Sequence, residues 1–159
     1  MTKQDKKNAY LYCKFRDEQF ALYDEYAKRN GMMMKTLLVV NVLFYAVDGM
    51  TQKEISRWTF QSKQTVNLII KNLLAENYVT VTEVPDNKRN KIVQMTDAGR
   101  AYYEKAVRHI TWAEDTAMSL FTPEEQKQLI ELSRTFTENL TRLVNQETEE
   151  IKKPAKKGR

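Results

Sequence analysis

Residues able to do covalent chemistry are scarce in this chain. One cysteine, Cys13, and one histidine, His109, stand far apart in the sequence, and only four glycines occur among 159 residues. No phosphate-cradling loop and no Cys–His pair can be assembled from them, and the carboxylates alternate with Lys and Arg as on solvated helix faces. No catalytic residue, cofactor or metal is therefore expected, and an enzyme is not. His109 has no second His or Cys to complete a metal set, with Glu104 and Asp115 off its face, and reads as structural. A lone thiol rules out an internal disulfide framework. A different chemistry is better represented: short polar and basic side chains in two clusters, Ser62-Lys-Gln-Thr-Val-Asn67 with Lys71, and Asp86-Asn-Lys-Arg-Asn-Lys91. Such groups hydrogen-bond base edges and neutralise phosphates.

The elements that must position these clusters follow from periodicity and punctuation. Lys6 to Asn30 reads as a helix with Tyr12, Phe15, Leu22 and Tyr26 on one face and Gly31 as its stop. A central core helix is expected from Met33 to Val47, with Leu37, Leu38, Val40, Leu43, Phe44 and Val47 apolar, ended by Gly49. Thr51-Gln-Lys-Glu54 is a capping box that opens a short helix. After the turn Thr59-Phe60-Gln61, Ser62 caps a second one. Tyr78 to Val84 alternates like a strand, Lys91 to Met95 is its expected partner, and Pro85 to Asn90 is their polar tip, longer than a two-residue turn. Thr96 caps a long helix carrying Ala106, Ile110, Ala113, Ala117 and Leu120 on one stripe. Thr122-Pro-Glu-Glu125 starts the last, about Pro123 to Glu150, with Leu129, Leu132, Phe136, Leu140 and Leu143 in a row.

The segment Thr51 to Leu74 is thus a helix-turn-helix in which Ile55, Val66, Ile69, Ile70 and Leu73 face inward. Ser62, Lys63, Gln64, Thr65, Asn67, Leu68 and Lys71 are left to face out, where a DNA major groove accepts one helix. Alone, these helices could equally be an ordinary amphipathic hairpin with a solvated polar face. The hairpin behind them, with Lys88, Arg89 and Lys91 at its tip, makes the assembly a winged helix, and an arginine there suits a narrow minor groove.

With these pieces in view, the chain resembles the MarR family over nearly its whole length except the tail. MTQKEISRWTFQSKQTVNLIIKNLLAENYV is similar to the family's helix-turn-helix, and DNKRNKIVQMTDAG to its wing with the closing Thr96-x-x-Gly99. The resemblance implies Lys63, Gln64, Thr65 and Asn67 on the recognition helix and Arg89 as the minor-groove arginine. Two positions depart from the family pattern. Asn87 stands where an Asp usually holds that arginine, the acid being one residue earlier at Asp86, and Leu68 stands where an Arg is common. The family also implies interlocking of the terminal helices into a homodimer, and a small, often aromatic effector in a cleft between dimerisation and DNA-binding parts. Tyr12, Phe15, Phe44 and Trp112 are the candidate ligand residues, although aromatics so placed are more often core. One branch of the family senses peroxide through a cysteine on its first helix, which makes a Cys13-based redox regulator an alternative.

The expected fold is mainly α with a small β-hairpin wing, a winged helix-turn-helix core flanked by long dimerisation helices. Residues 1–31 form the first dimerisation helix, 32–100 the DNA-binding domain, 101–151 the C-terminal dimerisation helices and 152–159 a basic flexible tail. The net charge of +5 is a weak guide to partners. Five of the 26 basic residues lie in Lys152 to Arg159, leaving 21 basic against 21 acidic elsewhere. The expected partners are double-stranded DNA and a second copy of the chain, without a membrane. The N-terminus lacks a secretory pattern, no apolar window is long enough to span a bilayer, and cysteine is rare, which points to the cytoplasm. The rival to a DNA-binding repressor is a winged-helix module that binds proteins and not DNA, favoured by the neutral body and by Asn87.

Overall fold

A computed structural model describes the backbone of residues 1–84 and 87–152 and the side chains of residues 1–83 and 91–146. The elements run α1 (Lys3–Arg29), α2 (Met34–Tyr45), β1 (Met50–Thr51), α3 (Gln52–Thr59), α4 (Lys63–Ala75), β2 (Val79–Val84), β3 (Asn87–Met95), α5 (Asp97–Ser119) and α6 (Pro123–Lys152). This is the expected mainly helical winged helix-turn-helix. The chain forms two compact units, Met1–Thr111 and a second from Trp112 onward.

In the first unit the caps set the boundaries. Beyond Asn30, Gly31 takes φ +72°, and the Met32 and Gly31 amides donate to the Ala27 and Lys28 carbonyls, a glycine-terminated stop that turns the chain into α2. The core of this unit gathers Val39, Val40, Leu43 and Phe44 of α2, Ile55 of α3, Val66, Ile69, Ile70 and Leu73 of α4, and Val79, Val93 and Met95 of the sheet. Tyr103 and Val107 of α5 close it. A smaller cluster joins Ala27 of α1, Leu37 of α2 and Ile110 of α5. Two further ties hold α5: the Tyr26 hydroxyl donates to the Ala106 carbonyl at 2.8 Å, and the Tyr26 ring stacks on His109 at 5.7 Å.

Three details of the first unit differ from the sequence reading. Val47 is not core; α2 stops at Tyr45, two residues short, so Val47 falls in the following turn and is exposed, while Val39 is fully buried. The sheet has three strands, not two, in the order β1-β3-β2. Met50 and Thr51 pair with Val93 and Ile92, using the free edge of β3. The β3 strand also begins at Asn87, not Lys91, and Val84 pairs with Asn87 across only two intervening residues, after a register shift beyond the Glu83–Lys91 pair. The second unit comprises the end of α5 and α6, with Thr122 and Glu125 forming a capping box at the start of α6. Leu120, expected on the α5 stripe, lies past the end of that helix and is exposed.

Candidate nucleic-acid interface

The helix-turn-helix is built outward from its caps. At α3 the Thr51 hydroxyl accepts from the Glu54 amide at 3.2 Å and the Glu54 carboxylate accepts from the Thr51 amide at 2.8 Å. These bonds hold the Glu54 carboxyl below its usual range. At α4 the Ser62 hydroxyl accepts from the Thr65 amide at 3.1 Å. Between the two helices Phe60 adopts the left-handed conformation, φ 53°, while the Ser56 hydroxyl donates to the Gln61 carbonyl and Gln61 Nε2 donates to the Lys35 carbonyl of α2 at 2.9 Å. The turn is therefore tied to both α3 and α2, which fixes the direction of α4.

On α4, the buried side carries Val66, Ile69, Ile70 and Leu73 and the other side is open. Ser62, Lys63, Gln64, Asn67, Leu68 and Lys71 are exposed; Thr65 is half-buried, its hydroxyl 2.9 Å from that of Ser62. The exposed residues share one side of α4, and Ser62, Lys63 and Gln64 stand at its N-terminus, where free N–H groups and the helix dipole favour anions such as phosphate. Lys91, on β3, is exposed and paired with Glu83 at 3.4 Å, so it is not an unencumbered cation. The side chains of Asp86, Asn87, Lys88 and Arg89, and the basic run from Lys153, lie outside the described residues.

The base of the wing is welded to α5. The Thr96 amide donates to the Tyr78 carbonyl at 3.0 Å, its hydroxyl donates to the Asn77 carbonyl at 2.8 Å and accepts from the Gly99 amide at 3.0 Å. A Cβ on Gly99 would coincide with the Tyr78 carbonyl, which is why the Thr-x-x-Gly spacing closes the wing. One turn on, Arg100 donates to the Phe44 carbonyl at 2.7 Å, occupying the C-terminal end of α2.

Residues 41–90 match the sequence model of the MarR family. That segment is a MarR-family winged helix-turn-helix. None of the curated protein sequences matches the chain significantly. Among solved structures, the MarR-family regulator AbsC of Streptomyces coelicolor superposes with a TM-score of 0.74 at 17% identity, over 89% of this chain and 97% of that one. A MarR-family regulator from Neisseria meningitidis gives 0.74 at 17%, over 92% and 99%. The DNA complex of Staphylococcus aureus MepR gives 0.64 at 20%, over 86% and 97%. At such identities the likeness establishes the MarR fold.

The predicted ligand residues are placed less uniformly than those of α4. Phe44 is a core residue whose ring lies 5.7 Å from the Arg100 guanidinium and 5.5 Å from that of Arg108. Tyr12, Phe15 and Trp112 are exposed. None of the four lines the cleft found in the first unit, whose walls come from the α1–α2 turn, α4 and Tyr103. Cys13 is a free, half-buried thiol on α1. Among the described residues no group of His, Cys, Asp and Glu gathers to hold a metal ion, and no helix is long and apolar enough to cross a membrane.

The sequence reading missed the cleft residues Met32, Met33, Glu76 and Tyr103. The only signal for them was the Met32-Met33-Met34 run after Gly31. It also missed Trp58 and Phe60, exposed on α3 and its turn, Phe60 almost completely at 96%.

Proposed function

We propose that this chain is a cytoplasmic transcription regulator, without catalytic activity, that binds a pseudo-palindromic DNA operator as a homodimer and represses by covering it. The observation that carries this reading is the exposed polar face of α4, backed on its other side by a fully packed apolar row. Ser62, Lys63, Gln64, Thr65, Asn67 and Lys71 are its contacts in the major groove and on adjacent phosphates. Lys88 and Arg89, with Lys91, are its wing contacts, Arg89 in the minor groove. The solved DNA complex of MepR, a protein of the same fold, supports DNA binding.

Dimerisation through residues 1–31 and 101–151 is supported by what those helices leave uncovered. Leu129, Leu132, Leu140 and Leu143 of α6 are exposed in the single chain, as are Tyr10, Tyr12, Phe15 and Leu22 of α1. Apolar rows of that length seldom face water in a soluble protein. A small effector shifts operator affinity by binding one arrangement of the two DNA-binding parts better than another.

Selection of bound duplexes from a random pool at two salt concentrations tests the reading. A palindrome with half-sites about 10 base pairs apart is expected. Affinity should fall steeply with salt, as released counterions require. Arg89→Ala should weaken binding to all sequences; undiminished affinity at moderate salt would remove the wing from the interface. A second reading, a module for protein partners, is favoured by the exposed Trp58 and Phe60 beside α4. It predicts no enrichment of any duplex even at low salt.

A further inference from the structure

A cleft of about 250 Å³ opens in the first unit between the α1–α2 turn, α4 and α5. Met32, Met33, Ile69 and Leu73 give it apolar wall, and Thr36, Asn72, Glu76 and Tyr103 supply its polar groups. Glu76 is the one charged side chain of that lining.

The position of this carboxylate is electrostatically unusual. Glu76 is the C-cap of α4, where the last carbonyls already present partial negative charge and where a cation is the ordinary occupant. The last turn of α4 holds no basic residue, and the ion pairs among the described residues all lie elsewhere. Tyr103 shares the lining with Glu76 and belongs to a cluster of three tyrosines. Tyr78 and Tyr102 stack at 4.6 Å, and Tyr103 meets them edge-on at 5.5 and 4.8 Å. Burial, with the neighbouring phenols and Glu76, pushes the Tyr103 hydroxyl up to about 12, so it stays neutral. The cleft therefore combines a negative pole with no ion pair among the described residues, the Tyr103 ring and two thioethers. Weakly hydrated organic cations are attracted to π faces, and methionine thioethers are polarisable and adaptable partners for an apolar body. The first turn of α2, whose N-cap Met33 makes no side-chain cap, offers N–H groups at the other side of the cleft. They can donate to an ether or carbonyl oxygen of a ligand, whereas a carboxylate ligand would share the space with Glu76.

We propose that this cleft binds a small lipophilic organic cation, its ammonium group against the Glu76 carboxylate and its apolar body along Met32, Met33 and Ile69. The proposal names the effector chemistry of the regulator described above and rests on that reading for its regulatory meaning.

Calorimetric titration of the full chain with benzyltrimethylammonium, and with salicylate as an anion of similar size, tests it. The cation is expected to bind and salicylate to bind at least tenfold more weakly. Glu76→Gln, an isosteric change at an exposed side chain with no side-chain hydrogen bond among the described residues, should weaken the cation at least tenfold. The Met32 and Met33 methyl resonances should shift on titration. Equal affinity in Glu76→Gln, preference for salicylate, or unmoved Met32 and Met33 signals would each overturn the proposal. No DNA is present in this titration and no probe in the duplex selection, so failure of one leaves the other readable.

Discussion

Among the described residues, Ile110 is the last hydrophobic side chain to be buried; from Trp112 onward, side chains of the same size are exposed or at most half-buried. The first unit encloses Ile55, Val66, Val93 and Val107 completely, because helices, sheet and turn approach from several directions. The second has Leu129, Leu132, Leu140 and Leu143 spaced as regularly along α6 as the core positions of α4, and covers none of them fully. Periodicity alone does not distinguish the two cases. A stripe becomes a core only where other elements reach it, and the proposed dimer is what would cover the stripe on α6.

Three substitutions test this contrast. The largest effect is expected at Gly99, where any β carbon collides with the Tyr78 carbonyl, a backbone atom that cannot swing away. Gly99→Ala should cost about 3 kcal/mol, the upper range for overpacking, read as a lower denaturation midpoint that does not depend on protein concentration. Leu132→Ala, in the uncovered row, should cost about 2 kcal/mol in each copy of a dimer, and only through association. Sedimentation would show dissociation at higher protein concentration than for the parent, while the midpoint extrapolated to the monomer stays put. A loss independent of concentration would mean that Leu132 is covered within its own chain and the contrast is drawn in the wrong place. The smallest effect has the opposite sign. Phe60 holds a left-handed conformation with its ring in water, so Phe60→Gly should stabilise the first unit by roughly 0.5–1 kcal/mol in chemical denaturation. No gain would mean that the ring has a folded-state contact outweighing the strain.

The legible parts of this molecule were those written in local chemistry. The Thr51–Glu54 box, the Ser62 cap and the Thr96 cap each need only side chains within three residues, and each is formed. The inward set of the helix-turn-helix was equally readable, because one face of α4 is uniformly apolar. What escaped depended on distant partners. A two-residue strand such as β1 has no alternation to detect and exists because β3 leaves an edge open. The cleft at Glu76 is assembled from the α1–α2 turn, α2, α4 and α5, and no spacing links Met32 to Tyr103. Phe60 carries no signal of its strain, since its conformation is imposed by the Gln61 bonds to α2 and α3 on one side of it.

The clamp at the base of the wing also bears on inheritance. Every amino-acid replacement of Gly99, from whatever codon change, brings a β carbon to the same occupied point. No gradual series of side chains leads away from glycine there, as leucine to methionine to alanine can lead across the α6 row. The position can be left only in company with a second change that moves the Tyr78 backbone. Variation in this chain is therefore free to remodel the exposed face of α4, while the clamp that carries the wing stays as it is.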